Sequence, residues 1–168
     1  MTPTKIEEHA ISMLVKNQPG VLSRVSGVFS SRGYNILSLC VAETVDPNIS
    51  RITLTSQADR AFTEKIKKQL DKLVDVIEVN DYTGPDYIHR EMMMIGIQLK
   101  PENRAEIMRA IETFRCKIIT MTTDYYILEL TGTKEENTAV LNYLQQFGVD
   151  EINRTGPISV RRSKQGRA

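Results

Sequence analysis

The order of hydrophobic patterns in the first half of the chain is repeated in the second half. Each half reads, in order, as strand, helix, two strands, helix and strand. In the first half the stretches are 11–15, 21–29, 36–45, 51–55, 59–73 and 74–79. In the second half they are 92–99, 102–115, 117–121, 125–131, 134–147 and a strand within 149–160. The repeated order predicts an α+β chain of two tandem ferredoxin-like βαββαβ sandwiches.

One segment between the two halves fits neither a helical nor a strand pattern. Residues 81–90 contain Gly84-Pro85, a pair typical of turns. We therefore expect a first domain at residues 1–82, a linker at 83–90, and a second domain at 91–168 that ends in a basic tail. In each sandwich the helices cover only one sheet face. The remaining apolar face or edge needs a partner, so the first domain is expected to form a homodimer.

Charge and composition exclude some classes of partner. The 168 residues include 22 Lys and Arg against 21 Asp and Glu, for a net charge of +1. A long-range field that would attract nucleic acid or an anionic membrane is therefore not expected. Only the end of the chain has a biased charge. The basic residues that follow the last acidic residue are Arg154, Arg161, Arg162, Lys164 and Arg167. This tail reads as a solvated terminus or as a phosphate-binding arm.

The two cysteines and the apolar runs indicate a reducing compartment. Cys40 and Cys116 lie far apart, each within an apolar run, which is typical of free thiols. We expect neither a signal peptide nor a transmembrane segment, because residues 1–8 are polar and the apolar runs are only as long as strands. We expect a cytoplasmic protein with no membrane partner.

The segment after the first strand has the chemistry of a small-molecule site. A polar loop containing Pro19-Gly20 leads into a helix, whose first N–H groups can bind a carboxylate. Asn17 and Asn35 flank this helix in the sequence, and their amide oxygens can accept from an ammonium group. The two features together suit a free amino acid. Pro19-Gly20 is equally compatible with an ordinary helix start, and Asn35 with a residue that ends the helix.

Two other functions on this fold are disfavoured by the residues. An acylphosphatase-like hydrolase would need an arginine in the first loop, which instead has Lys16. A nucleic-acid-binding sheet would show aromatic pairs for base stacking, but Tyr125-Tyr126 lies beside Asp124. Ser23 has no base nearby in the sequence, and neither histidine has a second candidate metal ligand beside it. No catalytic residue and no metal site are predicted.

At several motifs the sequence resembles a known family. The first-half motifs are Asn17-x-Pro-Gly20-Val-Leu-Ser-Arg-Val25, Phe29-Ser-x-Arg-Gly-Tyr-Asn-Ile36, Ser38-Leu39, Val41-Ala42, Ser50-Arg51 and Gln69-Leu-x-Lys-Leu-Val-Asp-Val76. The second-half motifs are Arg90-Glu91, Phe114-Arg115, Ile118-Ile119, Gly132-Thr133 and Arg154-x-Gly156. Over residues 9–162 the chain closely resembles the regulatory, or small, subunits of acetolactate synthase, also called acetohydroxyacid synthase.

The resemblance implies a function in branched-chain amino-acid biosynthesis. In that family an N-terminal ACT domain binds valine between two protomers of a dimer. The subunit activates the catalytic (large) subunit and makes it sensitive to feedback inhibition by valine. Flavin, thiamine diphosphate and magnesium belong to the catalytic subunit, so no cofactor and no catalytic activity are expected here. The alternative is an ACT-type amino-acid sensor that serves a different enzyme or regulator, against which the second-half motifs argue.

The resemblance also assigns the effector contacts. They fall on Asn17, Gly20, Val21, Leu22, Asn35 and Ile36, with Ala42 near the same pocket. Gly20 lacks the Cβ that would keep a carboxylate from the loop amides. Leu22 and Ile36 are suited to contact a branched aliphatic side chain, for which one methylene is worth about 1–3 kcal/mol of discrimination.

Overall fold

The computed structural model describes residues 6–59 and 61–163. These residues form two compact units. The first contains the described residues up to His89 together with those from Pro157 onward, and the second runs from Arg90 to Gly156.

The first unit has a four-stranded antiparallel sheet and two helices. Its elements are β1 (Glu7–Lys16), α1 (Val21–Ser30), β2 (Ile36–Glu43), β3 (Ile49–Ala58), α2 (Phe62–Leu70) and β4 (Val76–Asp81). The strand order is β2-β3-β1-β4. This is the ferredoxin-like arrangement expected from the sequence, with β2 and β4 at the two edges.

Period-two alternation on the strands and helical spacing on α1 and α2 bring apolar side chains into one core. On β1 and β3, Ile11 pairs with Leu54 and Met13 with Ile52, and all four side chains are buried. The helices contribute Val25, Phe29, Phe62, Ile66 and Leu70. Burying such side chains is worth about 1.5–3 kcal/mol each, so the alternation fixes which sheet face the helices cover.

The second unit repeats the arrangement. It contains most of β5 (Tyr87–Gln98), then α3 (Arg104–Phe114), β6 (Lys117–Met121), β7 (Tyr125–Gly132), α4 (Lys134–Leu144), a 3₁₀ turn (Gln145–Phe147) and β8 (Val149–Arg154). The strand order is β6-β7-β5-β8. Two tandem ferredoxin-like sandwiches are therefore confirmed.

The start of α4 shows why this helix begins where it does. Thr133 accepts through Oγ1 from the Glu136 N–H at 3.2 Å, and Glu136 Oε2 accepts from the Thr133 N–H at 2.7 Å. This reciprocal capping box satisfies two N–H groups that otherwise lack partners. Val140, Leu141 and Leu144 then pack into the second core with Met93, Ile95 and Leu128.

The structure differs from the sequence-based expectation in the bounds of several elements, most clearly around the linker and the last strand. β5 begins at Tyr87, inside the segment 83–90 expected to be a linker, because the turn at Gly84 (φ 102°) occupies only a few residues. The last expected strand is two strands, β8 and then β9 (Ile158–Arg161), with Gly156 (φ 71°) between them. β9 pairs with β5. α2 begins at Phe62 rather than at Asp59.

Candidate functional site

The connection from β1 to α1 is an uncapped helix start. Gly20 occupies the N-cap position with φ 83°, a left-handed conformation that favours glycine, and it provides no side-chain cap. The Arg24 N–H donates to the Gly20 carbonyl at 3.1 Å, which closes the first helical turn. In the part of the chain that the structure describes, the Leu22 and Ser23 N–H groups are not bonded to any acceptor. These free N–H groups at the positive end of the helix dipole suit a carboxylate.

Asn17 is fixed against the turn that joins β2 to β3. Its Nδ2 donates to Glu43 Oε1 at 3.1 Å and to the Pro47 carbonyl at 2.9 Å, while its backbone N–H donates to the Asn48 carbonyl at 2.7 Å. Both side-chain partners are acceptors, so the amide nitrogen must face them. Its Oδ1 therefore faces away from these partners and can accept a hydrogen bond from an ammonium group.

Arg24 is a charged residue at this loop. Its Nη2 pairs with Asp75 Oδ2 at 2.6 Å, and the Asp75 side chain is only 10% exposed. An added Cβ on Gly20 would lie 3.0 Å from Arg24 Nη1, so the guanidinium extends over the loop. The sequence analysis assigned no role to Arg24. Its spacing of four residues from Gly20 on a helix was the signal that could have placed it there.

Glu43 is a further residue that the sequence analysis missed. Its carboxylate receives the Asn17 hydrogen bond at the last residue of β2. It contributes a negative charge next to the Asn17 amide, while Arg24 contributes a positive charge near Gly20. The loop therefore carries both signs of charge, which matches the two charged ends of a free amino acid.

The remaining predicted contacts divide between two ends of the first unit. Val21 is buried in the core, at 3% exposure, so its side chain faces inward and only its backbone is near the loop. Leu22 is 42% exposed on the first turn of α1. Ala42 is exposed and lies opposite Arg51, next to Glu43. Val21, Leu22 and Ala42 thus belong to the same end as Asn17 and Gly20.

Asn35 and Ile36 lie at the other end. Asn35 is exposed, and its carbonyl accepts from Ser56 Oγ at 2.8 Å. Ile36 is the first residue of β2 and packs against the core. Glu43, which contacts Asn17, is the last residue of β2, and seven strand steps span about 23 Å. A single chain therefore does not bring Asn35 to Asn17.

The edge of the sheet between these two ends is open and apolar. Among the described residues, β2 pairs with β3 on one side and with no strand on the other. Leu37, Leu39 and Val41 are 42%, 37% and 43% exposed along β2. An open edge with apolar side chains is a template for a second strand.

Residues 6–59 and 61–163 hold no group of three or more His, Cys, Asp or Glu placed to bind a metal ion. Within the same residues, no helix has the length and apolar character needed to cross a membrane.

Comparison with known families matches both halves of the chain. Residues 11–78 match the family "AHAS small subunit-like ACT domain", and residues 90–163 match "Small subunit of acetolactate synthase". A probable acetolactate synthase small subunit of Archaeoglobus fulgidus is 37% identical over 153 residues, which is 91% of this chain and 96% of that protein. The chain belongs to the acetolactate synthase small-subunit family.

Further relatives agree with this assignment. The acetolactate synthase isozyme 3 small subunit of Salmonella typhimurium is 41% identical over 153 residues, or 90% of this chain and 94% of that protein. The crystal structure of the acetolactate synthase small subunit from Thermotoga maritima superposes with a TM-score of 0.88 at 38% identity. It covers 94% of this chain and 99% of that one. Membership of this small-subunit family, with its ACT domain, supports a regulatory role.

Proposed function

We propose that this chain activates the catalytic subunit of acetolactate synthase and makes that enzyme sensitive to feedback inhibition by valine. In this proposal the chain performs no catalysis of its own. The ACT domain within residues 1–82 binds the effector, and the region that follows the Gly84 turn forms the second domain. The protein acts in the cytoplasm as a homodimer.

One observation supports the valine part of the proposal most strongly. The predicted effector contacts lie at the two ends of β2, about 23 Å apart, and the edge of β2 between them is open. Antiparallel pairing of β2 with a second copy about a two-fold axis would bring the start of one strand beside the end of the other. Asn35 of the partner subunit would then lie near Asn17 and Gly20. Each dimer would have two identical sites.

The chemistry of the loop matches valine. The carboxylate would accept from the free N–H groups of the first turn of α1, near the Arg24 guanidinium. The ammonium group would donate to Asn17 Oδ1 and lie near the Glu43 carboxylate. The isopropyl group would contact Leu22 of one protomer and Ile36 of the partner subunit. Each charged end of the effector would face a protein group of opposite charge, which reduces the free-energy cost of removing the effector from water.

Feedback inhibition follows if valine binds two states of the holoenzyme with different affinity. Such a difference is typically about 1–3 kcal/mol of coupling free energy. The site lies at the proposed dimer interface, so valine would favour one arrangement of the two ACT domains. The catalytic subunit would respond to that arrangement.

Reconstitution tests the proposal directly. The purified chain is mixed with an acetolactate synthase catalytic subunit, and pyruvate condensation is measured with and without valine. We expect higher activity with the chain than without it, and a fall in that activity as valine is added. An unchanged rate on addition of the chain would reject the role as activator. Activation that valine does not reduce would reject the feedback role alone.

A further inference from the structure

A cleft in the second unit has no part in the proposed valine site. It has a volume of about 460 Å³, which is within the usual range for small-molecule sites. It lies between the end of α3, the end of β7 and the first turns of α4. Its walls include Phe114, Arg115, Gly132, Glu136, Asn137 and Val140.

An acceptor atom without a protein donor lines this cleft. Asn137 is only 2% exposed, and its Nδ2 donates to the Glu91 carbonyl and to Glu91 Oε1, each at 3.2 Å. Both partners are acceptors, so the amide nitrogen must face them and Oδ1 must face the other way. Among the residues that the structure describes, Oδ1 receives no hydrogen bond. The oxygen is open to the cleft, so a donor on a bound ligand can pair with it.

The missing Cβ of Gly132 gives that oxygen room. A Cβ built on Gly132 would lie 3.0 Å from Asn137 Oδ1 and 2.9 Å from Glu136 Oε2. The two oxygens therefore converge beside the glycine backbone. A neutral amide oxygen next to a carboxylate oxygen suits a hydrogen-bond donor that carries positive charge.

An ion pair with the buried Glu91 carboxylate fixes the orientation of Asn137. Arg154 Nε donates to Glu91 Oε1 at 2.9 Å, and Arg154 Nη2 also pairs with the same carboxylate oxygen. The guanidinium further donates to Thr138 Oγ1 at 3.2 Å, which links β8 to α4. Glu91 is thereby immobilised, and the Asn137 amide cannot rotate without losing both of its hydrogen bonds. The acceptor is preorganised.

The opposite wall offers a positive charge and apolar surface. Arg115 ends α3 in a left-handed conformation with φ 54°, and within the described residues no acidic group pairs with its guanidinium. Phe114 is held by an edge-on contact with Tyr143, at 5.5 Å between ring centroids. Leu130 and Val140 are buried at the base of the cleft.

We propose that this cleft is a second ligand site, one that binds a free amino acid with an apolar side chain. The ammonium group would donate to Asn137 Oδ1 and Glu136, and the carboxylate would pair with Arg115. The side chain would lie on Phe114 and Val140. A purely apolar occupant would leave the Asn137 oxygen unpaired, so a zwitterion fits the walls better.

Several residues that carry the family resemblance in the second half surround this cleft. Glu91, Phe114-Arg115, Gly132 and Arg154 each line the cleft or support the Asn137 amide. The proposed valine site uses none of them. The inference therefore does not depend on the proposed function and can fail or succeed alone.

The experiment maps backbone amide resonances of the full chain by two-dimensional NMR. It uses an Asn17→Ala background to weaken the first site. L-Valine, L-leucine, L-isoleucine, L-methionine and L-phenylalanine are each titrated to millimolar concentration. We expect saturable shifts at residues 114–115 and 131–137 with at least one of them. Shifts confined to the Gly20 loop, or no shifts with any of the five, would overturn the proposal.

Two variants and two analogues give the matched controls. Arg115→Asn removes the guanidinium but keeps a residue that tolerates positive φ. It should weaken binding at least about tenfold. Gly132→Ala should block binding by crowding Asn137 Oδ1. Arg109→Gln, an exposed change on α3, should not affect binding. Circular dichroism checks that each variant is folded.

The analogues test the class of ligand. 3-Methylbutylamine lacks the carboxylate and 4-methylpentanoate lacks the ammonium group, so each should bind much more weakly than L-leucine. Equal binding of either analogue, or unchanged binding by Arg115→Asn and Gly132→Ala together, would contradict an amino-acid site.

Discussion

Asn17 and Asn35 lie at opposite ends of β2 within one chain. Asn17 contacts Glu43, the last residue of the strand, and Asn35 directly precedes Ile36, its first residue. Both asparagines are expected to bind one effector molecule, which a single protomer cannot achieve.

The open edge of β2 should form the dimer interface. Val41→Lys would place a charge at a strand edge that is expected to be buried between two copies, so we expect the variant to sediment as a monomer and to lose valine binding. Ile77→Lys is the matched control, because Ile77 is an exposed apolar residue on β4, the other edge of the same sheet. A Val41→Lys variant that stays dimeric at micromolar concentration would show that the copies meet elsewhere.

Gly20→Asp should uncouple activation from feedback inhibition. The new side chain would start 3.0 Å from Arg24 Nη1, where its carboxylate would pair with the guanidinium and compete with that of valine. Losing one charge-assisted hydrogen bond costs about 1.5–3 kcal/mol, which weakens binding at least about tenfold. We expect the reconstituted enzyme to be activated yet resistant to valine, and Asn35→Ala to behave in the same way.

The control for Gly20→Asp is the same substitution within α1. A Cβ on Gly27 would meet nothing within 4 Å, and φ there is not positive. Gly27→Asp should therefore leave the inhibition curve unchanged. If calorimetry and inhibition curves for Gly20→Asp also matched the unmodified protein, the loop would not be the valine site.

The two thiols should differ in reactivity. Burial raises the pKa of the Cys116 thiol to about 11, so at pH 8 it is almost fully protonated and unreactive. Cys40 is partly exposed on β2. Iodoacetamide at pH 8 should alkylate Cys40 first in the native protein and both thiols after unfolding, as read by mass spectrometry. Equal rates in the native protein would argue against this burial.

The raised pKa of Cys116 also predicts a pH dependence of stability. Between its ordinary value of 9.0 and about 11 the thiol is protonated when folded and ionised when unfolded. The folded state then binds more protons, so the free energy of unfolding falls as the pH rises through this window. The fall attributable to Cys116 is at most about 3 kcal/mol. Urea denaturation of Cys116→Ala should show a shallower decline over the same range.

Loss of the Glu91–Arg154 pair should destabilise the second unit more than loss of any other of its charged contacts. The Glu91 side chain is 3% exposed, so Arg154→Met would leave a buried carboxylate without its cation. We expect a loss of about 3–5 kcal/mol in the free energy of unfolding. The double variant Glu91→Gln with Arg154→Met should recover part of that loss. An Arg154→Met variant of unchanged stability would show that solvent reaches the carboxylate.

The repeated fold was predictable because period-two and helical spacings are written directly in the apolar residues. Ile11, Met13, Ile52 and Leu54 all lie where alternation puts them. The charged residues around the Gly20 loop were less predictable. The spacing of Arg24 from Gly20 is a local signal, but its guanidinium is held by Asp75, 51 residues away in the sequence. Glu43 meets Asn17 only through the β2–β3 turn. Neither of these two long-range contacts leaves a local pattern.

The ends of some elements were also unpredictable from local pattern. Gly84-Pro85 marks a turn but gives no information on its length, so the start of β5 at Tyr87 was missed. The Tyr87 ring stacks on Tyr82 and lies under the Arg161 guanidinium. A residue of β9, more than seventy positions later in the sequence, thus contacts the first residue of β5.

Mixing two defective variants tests the shared site most directly. Asn17→Ala and Asn35→Ala chains are each expected to lose valine binding as homodimers. When equal amounts are unfolded, mixed and refolded, a heterodimer carries one site with both substitutions and one site with neither. The account predicts that calorimetry of the mixture recovers valine binding at about a quarter of the normal stoichiometry and at normal affinity. No recovery, with heterodimers shown to be present by mass spectrometry, would contradict a site built from two copies of this chain.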